Sequence, residues 1–84
     1  MFELRISPRA QRQIKQLKKT HQDAVLEALS EISEEPELVG KALSRNLAGN
    51  FTYRVGVYRI LYKVKQKDRI VQILSAEHRS RAYS

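Results

Sequence analysis

The 84-residue chain contains no cysteine. That excludes a disulfide framework, a thiolate nucleophile and any zinc or iron–sulfur site built on cysteine, and it fits a reducing compartment. No apolar run approaches the roughly 20 residues needed to span a bilayer. The opening Met1-Phe2-Glu3-Leu4 has neither a basic stretch nor a long apolar segment, so no secretory signal is expected. Internal repeats, low-complexity tracts and linkers are missing too, as are a glycine-rich phosphate loop and an HExxH-type metal cluster. Length limits what remains. A chain this short buries only about 60–65% of the surface its unfolded form exposes, which leaves no room for a large multi-substrate enzyme. One cytoplasmic domain over residues 1–84, without cofactor or metal, is the expectation.

Acidic residues are scarce in one half only. Residues 1–43 hold seven Lys/Arg and seven Asp/Glu, whereas residues 44–84 hold nine Lys/Arg against Asp68 and Glu77. The whole net charge of +7 therefore belongs to the second half. Six of those nine cations are arginine, whose planar fork suits phosphate. A phosphate backbone is the natural partner of such a surface. Acidic proteins, anionic membranes and plain solubility are the competing explanations.

Phe2, Leu4 and Ile6 alternate with Glu3 and Arg5, the period-two pattern of a strand. Ser7-Pro8 offers an N-cap and an N1 proline for a helix over 8–19 carrying Ala10, Ile14 and Leu17 on its apolar side. Thr20 is placed to cap a second helix with Val25, Ala28, Leu29 and Ile32 inward and Asp23, Glu27, Glu31 and Glu34 as an acidic ridge. Pro36 should stop it. The opposite charges of the two helices suggest an antiparallel hairpin. Residues 36–50 read as a connector with one helical turn near 38–43. Phe51-Tyr53-Val55 and Tyr58-Ile60-Tyr62-Val64 alternate as two strands around a turn at Gly56-Val57, where Val57 suits positive φ poorly. The apolar run 70–76 reads as a central strand covered on both faces. The predicted fold is α+β in the order β-α-α-β-β-β, an antiparallel sheet packed against an N-terminal helical hairpin, with the first strand beside the later ones.

If the hairpin pairs as expected, Arg54 and Arg59 share one side of the sheet. His78 and Arg79 follow the last strand, and Tyr83 comes four residues later. Three arginines, a histidine and a tyrosine make a patch suited to RNA, which carries its own nucleophile in the 2′-hydroxyl. Arginines can stabilise the phosphorane, a phenol can stack or donate a proton, and histidine can act as acid or base. Each residue also has a structural reading: Arg54 a solvated charge, Arg59 an ion-pair partner, His78 a strand-end hydrogen-bonding group, and Tyr83 packing on a sheet edge.

Leu47-Ala48-Gly49-Asn50, the run Tyr53-Arg54-Val55-Gly56-Val57-Tyr58-Arg59-Ile60-Leu61-Tyr62, and the ending His78-Arg79 with Tyr83 together resemble the RelE/ParE superfamily of toxins across essentially the whole chain. The resemblance implies a type II toxin. In the RelE-like branch, favoured by Arg59, Arg79 and Tyr83, this is an endoribonuclease that cleaves transcripts in the ribosomal A site. The ParE-like alternative inhibits DNA gyrase without cutting RNA. Carried over, Arg54 is a basic residue of the active-site strand, Arg59 holds the scissile phosphate, Arg79 is the basic residue after the last strand, and Tyr83 stacks or assists proton transfer. His78 joins the candidate catalytic set. Thr52 stands where a second basic residue is common, for which Lys41, Arg45 or Lys63 could substitute, and Val57 stands where an aspartate is common. Arg45, Lys63 and Arg81 are the candidate RNA-binding residues. The implied partners are a cognate RelB-like antitoxin, seated by a helical segment in an apolar groove between hairpin and sheet, and the ribosome with its messenger. Operator DNA is implied only through the antitoxin complex, and no membrane.

Overall fold

A computed structural model describes residues 1–43 and 49–82, excluding the side chains of 81 and 82. The elements are β1 (Glu3–Ile6), α1 (Pro8–Lys15), α2 (Lys19–Glu34), α3 (Pro36–Val39), β2 (Lys41–Ala42), β3 (Asn50–Val55), β4 (Tyr58–Lys65), β5 (Ile70–His78) and α4 (Arg79–Ala82). The expected α+β order is there; the helical turn expected near 38–43 lies earlier, as α3, and β2 and α4 are short additions. Among the described residues no helix is long and apolar enough to cross a membrane.

Five strands form one sheet in the order β1-β5-β4-β3-β2. The β2-β3-β4-β5 pairings are antiparallel, as expected. The β1–β5 pairing is parallel, Leu4 standing against Val71 and Ile6 against Ile73. It departs from the antiparallel rule because β1 is joined to the meander by helices and not by a hairpin, which frees its direction. Gly56 carries positive φ (58°). Among the described residues Arg69 is the one non-glycine that does, so the β3–β4 turn asks nothing unusual of Val57.

Ser7 caps α1 through its Oγ, which accepts from the Ala10 amide at 3.1 Å, and Pro8 opens the first turn. The helix ends at Lys15, four residues short of the predicted 19. Gln22 of α2 reaches back to donate from Nε2 to the Ile14 carbonyl at 3.2 Å, satisfying a C-terminal acceptor that another turn of helix would have used. Lys18 occupies the N-cap of α2 without a side-chain bond, and Thr20 lies inside the helix. Pro36 stops α2 as predicted and opens α3.

Both helices lie on one face of the sheet. Ile14, Val25, Ala28, Leu29 and Ile32 meet Phe51, Ile60, Tyr62, Val64, Val71 and Ile73 there, all buried. The opposite charges of α1 and α2 do not pair with each other: among the described residues Arg9 bridges to Glu77, and the acidic ridge bonds the sheet through Glu31. The strand covered on both faces is a correction. β5 is helix-covered on one side, while Gln72 and Leu74 remain half-exposed, since no element formed by the described residues lies over the other face.

A single extra residue governs the far end of β5. Tyr62 stands opposite Ile73 but Leu61 stands opposite Ser75, so Leu74 is a bulge. Beyond it every side chain changes sides. Ala76 and His78 point with Val71 toward the helices, and Ser75 and Glu77 point to the open face.

Candidate functional site

The open face is where the arginines gather. Thr52 and Arg54 of β3 and Arg59, Leu61 and Lys63 of β4 share it by alternation, with Lys41 opposite Thr52 at the β2 edge. Arg54 and Arg59 are direct cross-strand partners. Like charges placed opposite each other disfavour pairing unless something compensates them. Arg54 is exposed and Arg59 half-buried.

Two concavities meet at Arg59. One, of 490 Å³, is lined by Lys41, Ala42, Leu43, Thr52, Arg54 and Arg59. The other, of 190 Å³, is lined by Arg59, Leu61, Ser75 and Glu77. Arg79 begins α4 beside the hairpin, its amide donating to the Val57 carbonyl at 2.6 Å. The backbone thus brings Arg79 to the hairpin end of the sheet, where Arg54 and Arg59 stand. Lys41 adds a cation next to Thr52, and Lys63 lies further along the same face, opposite Asn50 and Gln72. Arg45, Tyr83 and the Arg81 side chain lie outside the described residues.

His78 does not join this group. The bulge turns it to the helix side, opposite Tyr58, whose ring it meets edge-on at 5.5 Å. His21 of α2 meets the same ring at 5.2 Å, and Ser80 Oγ sits 2.8 Å from His78 Nδ1. The sequence places His78 just past the last strand beside Arg79, whereas it is the final residue of β5 and takes the side that the strand register gives it.

Between α1, the end of β5 and α4 lies a third concavity of 530 Å³, whose lining includes Gln13, Gln16, Leu17, Tyr58 and His78. It occupies the place of the expected apolar groove but is largely polar. Ser7, expected only as a helix cap, and Gln13, which the sequence did not single out, supply the frame. Ser7 Oγ donates to the Leu74 carbonyl at 2.9 Å, and Gln13 Oε1 accepts from the Ala76 amide at 2.7 Å. These bonds serve a β5 edge that β1 no longer covers, and no local pattern announces them.

Tyr62 anchors the β2 side. Its hydroxyl donates to the Pro36 carbonyl, and burial pushes its pKa up to about 12. Tyr53 donates to Glu31 Oε2 at 2.7 Å, and that bond to a carboxylate raises its pKa. Among the described residues, no cluster of three His, Asp or Glu side chains is close enough to hold a metal ion.

The family model for the ParE toxin of type II toxin–antitoxin systems (parDE) matches residues 4–83. Toxin RelG of Mycobacterium tuberculosis is 39% identical over 83 residues, which cover 98% of this chain and 95% of that protein. The structure of the toxin–antitoxin complex RelBE2 from the same organism matches with a TM-score of 0.82 at 39% identity, covering 93% of this chain and 98% of its counterpart. The isolated E. coli RelE toxin matches with a TM-score of 0.81 over 93% of this chain and 84% of that one, and at 21% identity it speaks for the fold alone.

Proposed function

From the premise that the chain belongs to the RelE/ParE superfamily of type II toxin–antitoxin toxins, we propose that it is a ribosome-dependent endoribonuclease that cleaves messenger RNA in the A site and so stops translation. The observation that carries this reading is the Arg54–Arg59 cross-strand pair on an open sheet face, flanked by concavities that share Arg59.

The chemistry suits those residues. The 2′-hydroxyl of the substrate loses its proton and attacks the adjacent phosphorus. The bond to the 5′-oxygen then breaks, giving a 2′,3′-cyclic phosphate and a 5′-hydroxyl that takes up a proton. Negative charge builds on the two non-bridging oxygens, where guanidinium groups stabilise it most. In this proposal Arg59 holds the scissile phosphate, Arg54 and Arg79 share the developing charge, and Tyr83 stacks on a base or moves a proton. Lys41 and Lys63 extend the backbone track, with Arg45 and Arg81 as further RNA contacts. His78, on the opposite face, is left out of contact with the phosphate. The reading includes a cytoplasmic setting and a RelB-type antitoxin as partner, supported by likeness to the toxin of the RelBE2 complex. Operator DNA would be met only through that complex.

The ParE-named family model favours one other reading, inhibition of DNA gyrase without cleavage. Inducible expression with parallel pulse labelling of protein and DNA synthesis separates them. Protein synthesis stopping first, with cut transcripts that vanish in Arg59→Ala, supports the ribonuclease. Replication stopping first, with intact transcripts, rejects it.

A further inference from the structure

Glu77 is the one acid that the β4–β5 register sets directly opposite Arg59, on the same open face and in the same 190 Å³ concavity. Side chains so placed have Cβ atoms about 5 Å apart, close enough to form an ion pair. Yet its Oε1 accepts from Arg9 Nη2, at 2.6 Å. Arg9 stands in the first turn of α1, and that helix is pinned to the β5 edge by Ser7 and Gln13. The Glu77 side chain is only 24% exposed, so water competes weakly for it.

We propose that Arg9 is a positioning residue for the phosphate site: by holding Glu77, it keeps that carboxylate from closing onto Arg59. The Leu74 bulge makes the device necessary, because it is the bulge that turns Glu77 to the open face at all. Without Arg9, the nearest cation across the strand pair is the one that a phosphate needs. The inference rests on the sheet face being the RNA phosphate site, and its test separates the two claims.

Binding of a short fluorescein-labelled single-stranded RNA is followed by anisotropy, with thermal unfolding in parallel. Arg9→Ala should weaken binding about three- to fivefold, the weight of one partly exposed ion pair. Glu77→Gln should not weaken it. The double variant Arg9→Ala/Glu77→Gln should bind as Glu77→Gln does, and Arg9→Lys, which keeps the charge, should stay close to the parent chain. If the double variant binds as poorly as Arg9→Ala, Arg9 touches RNA itself and the proposal falls. An Arg9→Ala variant that binds like the parent overturns it equally. Arg59→Ala reports on the underlying reading: undiminished binding there removes the sheet-face site, and the inference with it.

Discussion

Gly40 is a site where one methyl group should unsettle both stability and the functional face. Its backbone is extended (φ −94°, ψ 171°), so alanine meets no torsional objection. Space is the constraint. A Cβ on Gly40 would lie 1.9 Å from the Tyr62 hydroxyl oxygen, 2.8 Å from Cζ and 3.1 Å from the Thr52 carbonyl oxygen. Tyr62 cannot yield easily, because it is fully buried and stacked on Phe51 with ring centroids 5.6 Å apart. Either the phenol leaves the Pro36 carbonyl or β2 withdraws from β3. Overpacking costs about 1–3 kcal/mol and the lost hydrogen bond about 1, against about 0.5 regained from the stiffer unfolded chain. Gly40→Ala should therefore destabilise by about 1.5–3.5 kcal/mol, a fall in Tm of roughly 8–20 °C for a domain of this size. Tyr62→Phe alone should cost about 1 kcal/mol. It also removes the atom that the methyl strikes, so the double variant should be more stable than the sum of the singles by about 1 kcal/mol. Urea unfolding followed by circular dichroism measures all three. Strict additivity, or a Gly40→Ala protein as stable as its parent, would refute the argument. Because Lys41 and Ala42 line the same concavity as Arg54 and Arg59, RNA cleavage should fall in Gly40→Ala even well below its Tm.

Arg54→Ala should abolish or strongly reduce growth arrest at a cost in Tm of only a few degrees, since the side chain is exposed; a large fall in Tm would mean that the arginine is structural. The pKa of Tyr62, about 12 when folded against about 10 when unfolded, sets an alkaline limit. Its contribution is complete below pH 10 and is lost as pH climbs from 10 to 12, so urea midpoints should fall across that window and fall less in Tyr62→Phe. Ser7→Ala removes both the α1 cap and the bond to Leu74, and should cost about 1–2 kcal/mol by thermal unfolding, more than a cap alone in an exposed helix. Gly56→Ala meets no atom within 4 Å but keeps φ at +58°, so a loss of about 1–2 kcal/mol is expected from backbone strain alone.

What the sequence announced was whatever depends on neighbours along the chain. Alternation at Phe2-Leu4-Ile6 and Tyr58-Ile60-Tyr62-Val64, the Ser7-Pro8 cap, the Pro36 stop and the apolar stripes of α1 and α2 are local signals, and all appear in the structure. Arg54 facing Arg59 follows from alternation on both sides of a tight turn. Features needing a distant partner were silent. The early end of α1 depends on Gln22, β2 exists only as two exposed residues pairing with β3, and the direction of β1 is decided by a strand beyond residue 70. The Leu74 bulge is the most consequential of these. Inside a continuous apolar run no alternation exists to be broken, so the sequence could not show that His78 turns away from the arginines and Glu77 toward them.

The parallel pairing of β1 with β5 has a consequence for how the protein comes into being. Ser7 and Leu74, joined by a hydrogen bond, are 67 residues apart, so the first strand made must wait for nearly the last. The β3-β4-β5 meander closes through short turns and can form early, whereas α1 and β1 can dock only on a finished β5. Such long-range closure slows folding and orders it. The face proposed to bind phosphate is shared by β3, β4 and β5, so its strands can pair without any contact from the N-terminal helix. A chain interrupted anywhere before residue 70 has neither the face nor its frame, which makes the harmful surface a property of the completed molecule.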